Sequence, residues 1–157
     1  MPSRAQATVN TTSMPTTSKP PRVFVDTCAF VALQDKQDST HNQATHINNL
    51  LSEKHAQLYT SSDVVGETLT VTSKKLGKIQ AAKFLADYLT TNIRQLFITP
   101  YLHQEAKKIF FLLASKHISF IDCTSIAAMK QAKISLAFTF DYHFEQAGLR
   151  LTSSLLK

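Results

Sequence analysis

Four carboxylates in this chain follow or interrupt short apolar runs, at spacings that can do chemistry together. Asp26 closes the run Val23-Phe24-Val25. Glu67 lies inside Ser62-Asp63-Val64-Val65-Gly66-Glu67-Thr68-Leu69-Thr70, Asp122 follows Phe120-Ile121, and Asp141 follows Ala137-Phe138-Thr139-Phe140. In an open α/β sheet the carboxyl ends of parallel strands gather at one edge, where ligands bind. Acids collected there repel one another unless they are protonated or neutralised by a cation. Oxygen-rich sites of this kind favour Mg²⁺ or Mn²⁺, so the pattern predicts a metal-dependent phosphoryl-transfer site. Taken singly, each acid has a plainer role. Asp26 or Asp122 alone could cap a helix, Glu67 alone could be a solvated helix residue, and Asp141 alone could form a turn.

The elements that must position these acids alternate along the chain. The punctuation predicts strands over residues 22–25, 56–60, 96–99, 136–140 and 149–152. Between them, helical periodicity runs from Thr27 through Leu33, over 39–54, from Ser61 or Ser62 to Gly77, over 78–92, over 101–116 and from Asp122 to Ala132, with a short turn at 143–147. Alternation of this kind implies an α/β fold with a parallel sheet covered on both faces. Residues 1–21 are rich in Thr, Ser and Pro, cannot bury enough surface to offset chain entropy, and are expected to form a disordered tail. One domain is expected over 22–157.

Composition narrows the class further. At 157 residues, 43% hydrophobic and 18% charged, the chain is an ordinary globular length with room for a core. No run approaches the ~20 apolar residues of a membrane helix, and the start lacks the apolar core of a signal peptide. The two cysteines, Cys28 and Cys123, are too few for a disulfide scaffold. They are expected to be small buried groups in a reducing cytoplasm. A net charge of +6 favours an anionic partner, nucleic acid above all. Cations that could hold such a partner are spread over several helices: Lys74, Lys75, Lys78, Lys107, Lys108, Lys116, Lys130 and Lys133.

Other α/β chemistries fail on particular residues. The glycines, Gly66, Gly77 and Gly148, do not cluster as a Walker loop or dinucleotide fingerprint requires. Cys28 stands where a haloacid-dehalogenase-type phosphatase would carry its second Asp. A receiver domain's acidic pair and late Lys are absent from their places, and there is no Gly-x-Ser-x-Gly elbow.

Val23-Phe24-Val25-Asp26-Thr27 with Ala29, then Asp38 and His41, resembles the opening of a PIN-domain ribonuclease. Glu67-Thr68-Leu69-Thr70 resembles the second acidic motif of that family. Ser119-Phe120-Ile121-Asp122-Cys123-Thr124-Ser125 resembles the third, and Phe138-Thr139-Phe140-Asp141-Tyr142-His143-Phe144 the fourth. The motifs occur in family order over residues 22–151, and the compact length is similar to VapC-type toxins of toxin–antitoxin pairs. The resemblance implies a Rossmann-like α/β/α sandwich with a parallel sheet of about five strands and Mg²⁺- or Mn²⁺-dependent cleavage of RNA. It also implies Asp26, Glu67, Asp122 and Asp141 as metal ligands, direct or through water, a cognate antitoxin partner and a homodimer. A housekeeping RNA-processing nuclease and a non-catalytic RNA- or protein-binding PIN module are the alternatives. Thr27 and Thr139 flank the acids and could orient a carboxylate, a metal-bound water or a phosphate, although helix capping or simple burial is the commoner role for such a threonine. His41 and His143 are expected at the surface or in caps, since two-metal hydrolysis does not require a histidine.

Overall fold

The computed structural model describes residues 19–156. Residues 1–18 of the expected disordered tail lie outside the described residues, whereas Pro21 already contacts the fold by accepting the Gln57 N–H at 2.8 Å. Strands β1 (Arg22–Val25), β2 (Gln57–Ser61), β3 (Arg94–Leu96), β4 (Leu136–Phe138) and β5 (Arg150–Leu151) form one sheet in the order β3-β2-β1-β4-β5. Every pairing is parallel. The helices are α1 (Thr27–Gln34), α2 (His41–Glu53), α3 (Ser62–Leu76), α4 (Lys78–Leu89), α5 (Pro100–Leu112), α6 (Phe120–Gln131) and α7 (His143–Gln146), with a last 3-10 turn over Thr152–Leu156. This is the expected α/β architecture with five parallel strands.

Central β1 shows why. Val23, Phe24 and Val25 form a continuous apolar run and are all buried, as a strand covered on both faces must be. Phe24, Phe138, Ile126, Met129 and Ile47 pack the core around it. The edge strands β3 and β5 are only 3 and 2 residues long, which leaves little unpaired ladder for foreign strands. Gly77, at φ +95°, adopts the left-handed conformation that lets α3 stop and α4 start with no intervening loop.

The strand order reverses between β1 and β4, which open toward opposite sides of the sheet. A crevice outside the carboxyl ends of such strands is the usual ligand site of a doubly wound sheet. Asp26 follows β1 and Thr139 follows β4 at that point, and the Asp26 N–H still bonds to Phe138 O at 3.1 Å.

Three local expectations are corrected. β4 ends at Phe138 rather than Phe140, because the Thr139 hydroxyl accepts the Asp141 N–H at 3.2 Å and turns the chain out of the ladder. Phe120-Ile121 is not an apolar run ahead of a helix but its first turn: Ser119 is the N-cap of α6, and Asp122 sits inside the helix. Pro100 opens α5 instead of merely stopping a strand, with Thr99 capping the Leu102 N–H at 3.3 Å.

Candidate active site

The four acids line one cleft of about 530 Å³, together with Thr27, Cys28, Asp38, Thr40, Lys75, Ser119 and Phe140. They come from four different elements, and each has one carboxylate oxygen held by a nearby donor. Asp26 Oδ2 accepts from the Thr139 hydroxyl at 2.8 Å and from the Cys28 thiol at 3.3 Å. Glu67, in the middle of α3, has Oε2 held by the Thr27 hydroxyl at 2.5 Å. Asp122 forms a capping box with Ser119: its Oδ2 accepts the Ser119 N–H at 2.7 Å while Ser119 Oγ accepts the Asp122 N–H at 3.0 Å. Asp141 Oδ1 takes the His143 N–H at 2.9 Å and the ring Nδ1–H at 2.6 Å. The second oxygen of each acid has no hydrogen-bond donor among the described residues, so four oriented carboxylates each present one oxygen without a protein partner.

Asp26 bears the largest cost of this arrangement. It is 4% exposed, and its Oδ1 is buried without a hydrogen bond. Burial, reinforced by the charge of Asp122 and opposed by the Thr139 bond, pushes its pKa up to about 6. Asp122 is also raised, first by burial and then by the charge of Asp141, against the lowering hydrogen bonds of Ser119. Burial and the Asp26 charge push the Cys28 thiol well above the ordinary cysteine range, so it is a hydrogen-bonding group and not a nucleophile.

The residues fit a divalent cation by their chemistry: hard oxygen donors, mutual repulsion, and an orphaned buried oxygen at the centre. Among the described residues no three His, Cys, Asp or Glu side chains stand close enough to hold one ion jointly. The acids line the cleft rather than meeting at a point, an arrangement compatible with ligation partly through water.

A family model for the PIN domain matches residues 23–149. The chain belongs to the PIN-domain family. It is 32% identical over 126 residues to the 23S rRNA-specific endonuclease VapC20 of Mycobacterium tuberculosis, covering 80% of this chain and 94% of that relative. The crystal structure of VapC20, described as a Sarcin-Ricin loop cleaving toxin, matches with a TM-score of 0.73 and 31% identity over 81% of this chain and 95% of that one. This PIN domain is therefore of the VapC type. FitAcB from Neisseria gonorrhoeae shares the fold at a TM-score of 0.61 and 17% identity, over 82% of this chain and 95% of that one. VapBC2 from Rickettsia felis, bound to a promoter DNA fragment, shares it at 0.60 and 19%, over 83% and 96%.

Within the PIN domain both flanking threonines reach acids, Thr27 to Glu67 and Thr139 to Asp26. His41 donates Nδ1–H to Ala32 O at 2.7 Å and ties α2 to α1, in keeping with a capping role. His143 does not lie at the surface. It is 2% exposed, and its Nε2 lies 2.7 Å from Ser115 Oγ, so the ring joins Asp141 to the α5–α6 loop. Its position two residues after an Asp that turns the chain was a readable signal. Ser119 was readable as well, since Ser-x-x-Asp before an apolar stretch is a capping-box pattern. Cys28 is not an inert core group: its sulfur lies 3.2 Å from Thr139 Oγ1 and accepts the Phe140 N–H at 3.3 Å, knitting the ends of β1 and β4. Of the candidate RNA-holding lysines only Lys75 lines the cleft. It is occupied by Asp35 and Asp38, each at 2.9 Å, and its hydrogen bond helps hold Asp38 down at about 2.

Proposed function

We propose that this PIN domain is an endoribonuclease that hydrolyses RNA phosphodiester bonds with Mg²⁺ or Mn²⁺, and that it is the toxin of a toxin–antitoxin pair. The observation that carries the reading is the cleft itself, where four acids from four separate segments each offer one oxygen without a protein partner among the described residues. Asp26, Glu67, Asp122 and Asp141 are the residues that would hold the ion, directly or through water. Bound there, a divalent ion supplies Lewis-acid stabilisation of phosphoryl charge and activates water as the nucleophile. The chain's own part is orientation: Thr139 and Cys28 fix Asp26, Thr27 fixes Glu67, Ser119 fixes Asp122 and His143 fixes Asp141. The similarity to VapC20 makes the sarcin–ricin loop of 23S rRNA the first substrate to test. A cognate antitoxin and a homodimer complete the proposal, and a small antitoxin gene beside this one separates a toxin from a housekeeping nuclease.

The test incubates purified protein with RNA and with DNA in Mg²⁺, Mn²⁺ or EDTA. RNA alone should be cut, and only with metal. Asp26→Asn should fail at any metal concentration. Asp141 is more exposed and sits beyond a turn, so Asp141→Asn should raise the metal concentration needed more than it lowers the saturated rate. Full cleavage by folded Asp26→Asn protein would sink the site assignment, and an Asp141→Asn protein dead at saturating metal would sink the ranking.

A further inference from the structure

The acidic cleft that would cut RNA is poorly equipped to hold it. Among the described residues Lys75 is the only lysine or arginine that lines it, and two carboxylates already occupy it. A polyanion approaching four acids needs cations elsewhere on the molecule.

Such cations stand at the opposite end of the strands. Arg22 is the first residue of β1 and Arg94 the first of β3, and they flank Tyr59 of β2. Arg22 Nε donates to the Tyr59 hydroxyl oxygen at 3.2 Å and Arg94 Nη1 donates to the same oxygen at 3.3 Å. Both guanidinium groups also lie over the Tyr59 ring, at 4.8 and 5.7 Å from its centroid. The two donor nitrogens are thus no more than about 6.5 Å apart, a separation at which like charges repel by roughly 0.6 to 2.5 kcal/mol between the dielectric of water and that of a protein surface. Among the described residues neither arginine has a carboxylate partner, and the terminal amino groups of Arg22 bond to nothing. Two forks converge, oriented by one phenol, and their remaining donors have no partner among the described residues. The Tyr59 hydroxyl is drawn below the usual tyrosine range, first by the Arg22 bond and further by the charges of Arg22 and Arg94.

Arg94 and Gln57 also line a cleft of about 730 Å³ with Asn48, Thr91 and Asn92, and no carboxylate lines it among the described residues. Its walls offer amides and a hydroxyl, groups that suit ribose and base edges. We propose that this strand-start edge, centred on Arg22, Tyr59 and Arg94, is a second binding site that grips the phosphodiester backbone of RNA away from the cut. The proposal rests on the RNA-cleaving reading above. Arginine forks match phosphate oxygens in pairs. The strand from Arg22 to Asp26 covers roughly 13 Å through the buried core, so an RNA held at both edges must pass around the domain and not along β1.

The test measures binding of a labelled RNA hairpin in EDTA over a series of KCl concentrations, together with cleavage of the hairpin in metal. Arg22→Gln/Arg94→Gln should bind about tenfold more weakly, with a log–log salt slope smaller by roughly 1.5. A short substrate that fills only the acidic cleft should be cut at the wild-type rate. Lys107→Gln/Lys108→Gln, which removes equal charge from α5, should leave affinity within about twofold. If the double variant does not fold, each single variant should show about half the change in slope. Unchanged affinity and slope in folded variants overturn the second site while leaving the nuclease reading intact. A wild-type protein that neither binds nor cuts RNA overturns the nuclease reading. Equal binding of a polyglutamate chain, equally weakened by the substitutions, overturns RNA as the occupant.

Discussion

Asp26 is where burial and charge oppose each other most directly. Its carboxyl is held at about 6, above the 3.8 of an unfolded chain, by burial first and by Asp122 second. The neutral form therefore suits the folded protein, and the stability it confers is fully present below about pH 4 and lost as pH rises through 6. At neutral pH without metal the ionised group costs up to roughly 3 kcal/mol. Asp26→Asn should accordingly stabilise the metal-free protein at pH 7.5 by up to that amount and give almost no gain near pH 4. Urea unfolding in EDTA at both values checks this, and an equal gain at both would show that the ionised carboxylate is not the cause. The same substitution removes the central acid, so a more stable protein that no longer cuts is the expected pairing.

At the scale of elements, helix starts aim the acids. Ser61 caps α3 through the Val64 N–H at 3.1 Å, placing Glu67 on the side of α3 that reaches Thr27 at the start of α1. Ser119 caps α6, and the same capping box that satisfies its first turn fixes Asp122. Ser119→Ala should therefore do two things at once. It should cost about 1 kcal/mol of stability, as loss of an N-cap does, and it should raise the metal concentration needed for cleavage because Asp122 loses its anchor. Denaturant unfolding reads the first and a Mg²⁺ titration the second. A stability loss with unchanged metal dependence would reduce the capping box to a purely structural role. α3 and α6 are also tied by the Thr124 hydroxyl to Asp63 Oδ2 at 3.0 Å, which holds the two acid-bearing helices in register.

The whole molecule is polar along its strands. Acids collect where the strands end, while Arg22, Arg94 and Arg150 open β1, β3 and β5 at the other edge. Its helical surface also leaves large apolar side chains in solvent, with Ile79 89%, Phe111 86% and Leu112 80% exposed. Exposed apolar groups of that size commonly mark association surfaces. For the proposed homodimer, Phe111→Ser/Leu112→Ser should shift sedimentation toward the monomer and remove any dependence of the unfolding midpoint on protein concentration. A wild-type protein that sediments as a strict monomer at high concentration would refute the dimer. Among the described residues no helix is long and apolar enough to cross a membrane.

Local rules were enough to read the alternation of elements, the buried run at β1, the helix break at Gly77 and four acids that turn out to line one cleft. Each depends on neighbours in sequence: hydrophobic periodicity, a residue free to take positive φ, a charged group beside an apolar run. The partners of those acids depended on the tertiary fold. Thr139 and Asp26 are 113 residues apart, and Thr27 and Glu67 are 40 apart; they meet because β1 lies between β2 and β4. The burial of His143, the capture of Lys75 by Asp35 and Asp38, and the convergence of Arg22 and Arg94 on one phenol are likewise products of strand order. Residue types determined which groups can carry charge, and the parallel packing of the strands decided which charges are neutralised within the chain and which are left for a ligand.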